Sequence, residues 1–427
     1  MAQKPIIIYE LKNSLSANSD NFYAIGELNQ FDSAILRRKY CGYGSFELWA
    51  PITAENKAYF TMPANNAQRF LYFGDNAAGF VECVQGEVDS AGKLRYHISG
   101  RTCEALLCFR AFGLARKSGN DTILTNTTTF SGLTAAQIIP KMLSDCYQGD
   151  WDANTTRRIP FLVAPTFSNN IPSRTFDFQR SGGTLYDGVI DFLSQEILSL
   201  GFWIKFDPAN RRLIPCVYAG VDRSTSQNVN TSVVFSDQLN DILQSQYIFD
   251  TSNFCNVAYV FGEGEGSDRV FAQATRQTDT YNASCYTGTD NFPNFGLREL
   301  YVDARDVSRK STGTITENGD TTTTLTDSQY FQALAKRGTQ KLAEHNTLNT
   351  FNAVIRTEGE TMYKYGADYT LGDIITIEDT RLGISVNTRV TASEETFGSQ
   401  YSLRLSFGEE PATLNDTLNS INNNFTN

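Results

Sequence analysis

The sequence predicts a mixed, β-dominated α+β protein in which a β region, an α/β region and a second β region follow one another. Three observations carry this. Short alternating runs bounded by Gly, Pro, Asn and Asp crowd both ends of the chain, the signature of half-buried strands joined by tight turns. Between them lies a strongly amphipathic helix followed at once by a β-hairpin. The third is composition: of 427 residues, 41% are hydrophobic and 12% aromatic, enough apolar mass for packed cores. At roughly 150 residues per domain, that length suggests about three domains.

In the first region, residues 1–112, Ser45-Phe46-Glu47-Leu48-Trp49 alternates and stops at Pro51. Phe70–Phe73 ends at Gly74-Asp75, and Gly79–Val84 forms another strand. Val88 and Leu94 flank Asp89-Ser90-Ala91-Gly92, a hairpin turn in which Gly92 supplies a positive φ. Closely spaced strands of this kind build a barrel or a small sandwich.

The second region, 113–250, is the α/β part. Gly119-Asn120-Asp121 and Thr125–Thr129 read as polar loop. Leu133–Cys146 has helical spacing, with Ser131 or Thr134 as N-cap and Pro140 expected to shorten or bend it. A helix over Leu185–Leu200 is capped by Thr184, carries the stripe Leu185, Val189, Phe192, Leu193 and Leu200, and stops at Gly201. The strand Phe202–Phe206 turns through Asp207-Pro208-Ala209-Asn210 into Arg212–Tyr218.

The third region, 251–410, returns to β with one helix. Val257–Phe261 leads into Gly262-Glu263-Gly264-Glu265-Gly266, and a polar hairpin follows with Asn318-Gly319 as its turn. Thr326-Asp327-Ser328-Gln329 is a capping box opening a helix that runs to about Glu344. Strands follow at Phe351–Arg356, Ile374–Ile377, Thr388–Ala392 and Tyr401–Phe407. In the tail, 411–427, Leu414, Leu418, Ile421 and Phe425 are spaced four, three and four apart. That spacing forms one helical stripe suited to packing or subunit contact.

The charge excludes one class of function. With 36 basic and 47 acidic residues the net charge is −11, whereas a sequence-independent nucleic-acid binder needs a basic surface to displace phosphate counterions. No apolar run approaches the ~20 residues that span a bilayer. Met1–Asp20 has no long apolar core and no small-residue cleavage site, so no signal peptide is expected. The eight cysteines, Cys41, Cys83, Cys103, Cys108, Cys146, Cys216, Cys255 and Cys285, form no C-x-x-C pair. In a chain made in a reducing cytosol they read as free thiols. His97 shares a strand face with Arg95 and Ser99, toward solvent, while His345 sits near a helix end where an imidazole suits the dipole.

No catalytic, cofactor-binding or metal-binding residue stands out. Gly262-Glu263-Gly264-Glu265-Gly266 lacks the Lys-Ser/Thr of a phosphate loop, and its two carboxylates would repel phosphate. A carboxylate pair of glycosidase type could be drawn from Asp303, Asp306 and Asp373, but no spacing identifies it. A cell-wall or polysaccharide hydrolase using carboxylates is one alternative reading, and a carbohydrate-binding module using Trp49 or Trp151 is another.

A set of segments resembles a known family. They are Arg37-Arg38-Lys39-Tyr40 with Gly44-Ser45-Phe46-Glu47-Leu48; Gly183 through Arg223, ending in Gly220-Val221-Asp222-Arg223-Ser224; and Asn256 through Glu265. Tyr301-Val302-Asp303-Ala304-Arg305-Asp306 follows, then Tyr365-Gly366-Ala367-Asp368-Tyr369 with Leu371-Gly372-Asp373, and Ser385-Val386-Asn387-Thr388-Arg389. In order, over nearly the whole chain, they resemble the siphovirus tail-tip or baseplate hub family. That family is related to the N-terminal hub module of tail-associated lysins and to the central hub of contractile-phage baseplates.

The resemblance implies a phage tail hub architecture, with two barrel-like β domains flanking the α/β domain. It implies a structural homotrimer at the virion tail tip, made and assembled in the bacterial host cytoplasm, with no catalytic residues and no cofactor. The implied partners are a distal tail protein ring, the tape measure protein and distal fibre or receptor-binding proteins, with the genome passing through the hub channel. The chain ends about twenty residues after its last expected strand, so no enzymatic or fibre domain is expected beyond it. An acidic wall would suit a DNA passage, because it repels phosphate.

Overall fold

The computed structural model describes residues 5–11, 21–60, 68–88, 92–113, 115–118, 121–124, 127–147, 157–193, 200–275, 296–316, 319–345, 348–356, 362–398 and 400–408. The first region contributes strands β1 (Ile6–Leu11), β2 (Phe22–Leu28), β3 (Ser33–Lys39) and β4 (Ser45–Pro51), helix α1 (Ala54–Phe60), and strands β5 (Arg69–Gly74), β6 (Ala77–Val88) and β7 (Leu94–Thr102). A 3-10 turn, Cys103–Phe109, leads to β8 (Ala115–Ser118), β9 (Asp121–Leu124), β10 (Thr127–Thr134) and α2 (Ala135–Tyr147). Next come β11 (Thr166–Phe167), β12 (Thr175–Ser181), α3 (Leu185–Leu193), β13 (Gly201–Asp207), β14 (Arg212–Tyr218), β15 (Val234–Ser236) and β16 (Ile242–Asp250). The remainder comprises β17 (Val257–Phe261), β18 (Phe271–Thr275), β19 (Glu299–Asp303), β20 (Lys310–Thr316), β21 (Gly319–Thr324), α4 (Asp327–Glu344), β22 (Leu348–Ile355), β23 (Ile374–Asp379), β24 (Ile384–Phe397) and β25 (Ser402–Gly408).

The fold is β-dominated, as the alternation requires, but its largest sheet joins the two ends of the chain. Its strands run β16-β22-β25-β24-β3-β4-β7-β6-β5-β1-β2, with β23 and β15 branching from β24. The join is made by β24. Its first half, Ile384–Arg389, pairs with β23, and its second half pairs with β25 and, through Ala392↔Lys39 to Phe397↔Ala34, with β3. Among the described residues this path is open, ending at β16 and β2 rather than closing into two barrels.

Two apolar clusters line this sheet. One gathers Ile8, Leu36, Phe46, Leu48, Leu71 and Ile98, and the other Phe235, Phe351, Ile375, Val390, Leu405 and Phe407. A third and larger cluster sets Phe22, Phe70 and Phe80 from the first region against Phe161, Phe192, Phe202 and Phe206 of the α/β part. The fourth lies between α4 and the small sheet β18-β17-β19, where Val260, Ala274, Tyr330, Leu334 and Leu342 are buried.

Several local expectations need revision. The threonines of 125–129 are not all loop: Thr127–Thr134 is a strand, paired with β12 and in parallel with β20 through Thr129↔Thr314. β-branched threonines suit a pleated surface, and their polarity hid that propensity. Helix α2 starts after Thr134 and passes through Pro140 to Tyr147. The proline gives up a hydrogen bond near the helix start. Burial of Ile138, Ile139, Met142, Leu143 and Cys146 offsets that loss.

Helix α3 is described as far as Leu193, with 194–199 outside the described residues. Its cap is as expected: Thr184 Oγ1 accepts from the Asp187 N–H at 3.1 Å, and Asp187 returns a carboxylate to the Thr184 N–H at 2.9 Å. In the threonine hairpin, Gly319 pairs with Thr316 and is already strand, so the two-residue connection is 317–318, outside the described residues. Of the expected turn 89–92, Gly92 has the positive φ of +77°, while 89–91 and the tail residues Leu414, Leu418, Ile421 and Phe425 lie outside them.

Candidate functional site

Four of the six segment groups that carried the family resemblance meet at one junction, while Asn256–Glu265 and Tyr301–Asp306 lie together in the β18-β17-β19 sheet. Tyr40, at the end of β3, stands at the centre of the junction. Its hydroxyl donates to the Tyr218 carbonyl at 3.4 Å and accepts from the Gly220 N–H at 3.1 Å. The Arg389 guanidinium lies 5.1 Å from its ring centroid and donates to the Gly372 carbonyl. Burial pushes the Tyr40 and Tyr218 hydroxyls up, which keeps them neutral donors.

Two glycines let the chain pass here. A Cβ on Gly372 would sit 2.1 Å from the Tyr40 ring, and its φ of +91° already favours glycine. A Cβ on Gly220 would lie 1.7 Å from the Gly372 carbonyl oxygen.

Asp373 ties the same strands together. It is buried, and accepts from the Val221 N–H at 2.8 Å, the Thr370 N–H at 3.1 Å and Arg223 Nε at 3.1 Å. Arg38 pairs with Glu395 at 2.8 Å and donates to the Tyr365 hydroxyl at 3.3 Å. The junction thus binds β3, the exit of β14, the entry of β23 and the bend of β24 into one unit. Its chemistry is that of a buried hydrogen-bonded network that fixes geometry, although the buried Arg38 Nε finds no partner among the described residues.

Most of the other carboxylates singled out in the sequence are also engaged. Asp303 pairs with Arg269 and Arg305, and Asp306 with Arg337 at 2.9 Å. Glu263 accepts from the Arg309 N–H at 3.2 Å, while Glu265 is exposed in the glycine-rich loop. No group of three or more His, Cys, Asp or Glu suited to a metal occurs among the described residues.

His97 does lie opposite Tyr96 and Ile98, but it is not simply solvated. It stacks on Trp49 at 4.7 Å between ring centroids and sits 3.6 Å from Glu47. This covers one face of the indole that a sugar would need; Trp151 lies outside the described residues. Glu47 also belongs to a charge ladder on the sheet surface, in which Arg37 bonds to Glu47 at 2.6 Å and to Glu394 at 2.7 Å. Carboxylates on this face are matched by arginines, with Arg101–Glu82 and Arg95–Glu87 beside them.

His345 caps α4 and lies 2.9 Å from the Asn253 side chain. The seven described cysteines are free, and burial pushes the Cys146 thiol up to about 11, which makes it inert.

Two functional carboxylates were missed in the sequence. Glu104 is buried, and its Oε1 accepts from the Ile204 N–H at 2.7 Å, joining the first region to β13; burial pushes its carboxyl up. A lone acid in the apolar run Cys103–Phe109 was the available signal. Asp379 accepts from Arg381 and from the Ser245 hydroxyl at 2.7 Å, anchoring β16 to β23; nothing in its local sequence marks that role.

Comparison with known proteins decides the assignment. Residues 19–409 match the sequence model of the family described as Siphovirus ReqiPepy6 Gp37-like protein. The chain belongs to this family. Among solved structures, it is similar to the tail protein from Neisseria meningitidis MC58, with a TM-score of 0.50 and 13% identity over 95% of this chain and 97% of that one. It is similarly close to the 43 kDa tail protein of prophage MuSo2 from Shewanella oneidensis, with a TM-score of 0.50 and 10% identity over 95% and 98%. No curated protein matches the chain in sequence. The family is one of siphovirus proteins, and the two neighbours, both tail proteins, share this chain's fold. No helix among its described residues is long and apolar enough to cross a membrane.

Proposed function

We propose that this Gp37-like protein is the trimeric hub of the tail tip. In this reading it closes or extends the tail tube. It joins the distal tail ring and the tape measure protein on one side to distal fibre or receptor-binding proteins on the other. The observation that carries the reading is the family match over residues 19–409, nearly the whole chain.

The junction around Tyr40 and Asp373 supports a scaffold role, since its polar groups are spent on fixing strands. The division into 1–112, 113–250 and 251–410 is retained as a description of the hub's parts. Leu414, Leu418, Ile421 and Phe425 then form a stripe that packs on a barrel or on a neighbouring subunit. Assembly takes place in the host cytoplasm before the particle is released.

Light scattering on the purified chain, with class averages by electron microscopy, tests the proposal. A threefold mass and threefold symmetry are expected. A compact stable dimer overturns it.

A further inference from the structure

A cavity of about 250 Å³ adjoins the Tyr40 junction, where all three regions meet. It is lined by Arg38 of β3, Ala78 of β6, Glu104 of the 3-10 turn, Trp203 of β13, Tyr218 of β14 and Leu371 ahead of β23. Two of these side chains each carry a buried atom without a hydrogen bond: Arg38 Nε and Glu104 Oε2. Glu104 as a whole is only 5% exposed. The rest of each side chain is firmly held. Arg38 gives Nη2 to Glu395 at 2.8 Å and to the Tyr365 hydroxyl at 3.3 Å. Glu104 Oε1 accepts from the Ile204 N–H at 2.7 Å.

A buried donor and a buried acceptor left unmatched each forfeit a bond that solvent gives them in the unfolded chain. Here the two orphans are complementary and border one cavity. An ion suits that cavity poorly, since a guanidinium opposes a cation and a carboxylate opposes an anion. A neutral molecule that donates and accepts at once fits both. Water needs only about 10–15 Å³ of room and two to four polar partners. The cavity is larger than this, and exposed Thr370 on its lining opens a path to solvent.

We propose that ordered water occupies this cavity and bridges the Arg38 Nε–H to Glu104 Oε2. The bridge completes one hydrogen-bonded chain across the three regions: Glu395 of β24, Arg38 of β3, water, Glu104 and the Ile204 N–H of β13. Burial pushes the Glu104 carboxyl up, with Arg38 among the groups that pull it back down. Water serves either state of the acid, because it donates to a carboxylate and accepts from a carboxylic O–H. The proposal concerns the fold of the single chain and stands apart from the trimeric reading.

A crystal structure of the full chain, at a resolution that shows ordered water, tests the bridge directly. An oxygen within about 2.7–3.2 Å of both Arg38 Nε and Glu104 Oε2, or two such oxygens in contact, is expected. A direct Arg38–Glu104 contact, an ion or additive in place of water, or no ordered oxygen at either atom overturns it. Arg38→Lys supplies a second test, because it puts a methylene where the Nε–H stands and keeps a cation for Glu395. Hydrogen exchange at the Ile204 amide should then quicken at least threefold, since its carboxylate partner has lost an anchor. Amides of α4, in another core, should exchange as in wild type. Ile204 exchange that stays unchanged overturns the link from Arg38 to β13. The wild-type density decides even where the variant fails to fold.

Discussion

Asp379 and Glu104 are both buried carboxylates, and their surroundings push them in opposite directions. Hydrogen bonds from Arg381, then from Ser245 and the Leu382 N–H, hold the Asp379 carboxyl at about 2. That lies below the unfolded value of roughly 3.9. The native state therefore binds fewer protons than the unfolded chain between these values. Its stabilisation is complete above about pH 4 and drains away as pH falls toward 2. Asp379→Asn should cost about 1–2 kcal/mol at pH 7. In denaturant titrations, the gap to wild type should narrow as the pH drops below about 4. A constant gap would mean that the lost contact is steric rather than ionic. For Glu104 the sign reverses, because burial raises the native pKa. The native state holds its proton longer, so the wild-type chain loses stability as pH rises above the unfolded glutamate value of about 4.3. Glu104→Gln keeps an acceptor for the Ile204 N–H without titrating. The variant should gain on wild type as the pH rises above about 4 in the same titrations. A variant less stable than wild type at pH 7 would show that the charged form is the one the fold needs.

Helix α4 shows how local signals become structure. Its capping box is complete: the Thr326 hydroxyl accepts from the Gln329 N–H at 3.4 Å, and the Gln329 side chain accepts from the Thr326 N–H at 2.9 Å. Thr326→Ala should cost about 1 kcal/mol. It should speed hydrogen exchange in the first turn of α4 without touching β22–β25, which belong to another core; exchange that rises uniformly would show that the two cores unfold together. Signals of this kind were legible because they sit within four residues of one another. The α3 cap, the hairpin of β13 and β14 and the alternation of β25 were legible for the same reason. What escaped was set by partners far along the chain. Thr127–Thr134 is a strand because β12 and β20 flank it, and β20 arrives from nearly two hundred residues away. β16 was not marked as a strand at all, since its polar and apolar residues are exposed on both faces and leave no clean alternation. The segments that carried the family resemblance were visible as separate pieces. The convergence of four of these groups on Tyr40 and Asp373 depends on tertiary approach, which no spacing encodes.

For the whole molecule, the order of regions along the chain is not an order of independent bodies. The first region finishes its core with residues it does not contain. Phe22 meets Phe161 at 5.0 Å and Phe206 at 5.2 Å between ring centroids, and Tyr9 meets Phe206 at 5.0 Å. Its strand β3 takes one of its two ladders from β24. Cutting the chain after residue 112 would expose those rings and leave β3 a bare edge in the middle of what had been a sheet. Each buried phenylalanine contributes about 1.5–3 kcal/mol, against a net stability for ordinary domains of only about 5–15 kcal/mol. Losing the cover of two or three such rings, with one ladder, is enough to remove the margin. Residues 1–112 expressed alone should therefore show no cooperative thermal transition, and should bind a dye that reports exposed apolar surface. Co-expression with 113–427 should restore a sharp transition by supplying Phe161, Phe206 and β24. If residues 1–112 instead melt cooperatively on their own, with near-ultraviolet circular dichroism from packed aromatics, the first region closes its own core and the shared sheet is a docking of finished domains.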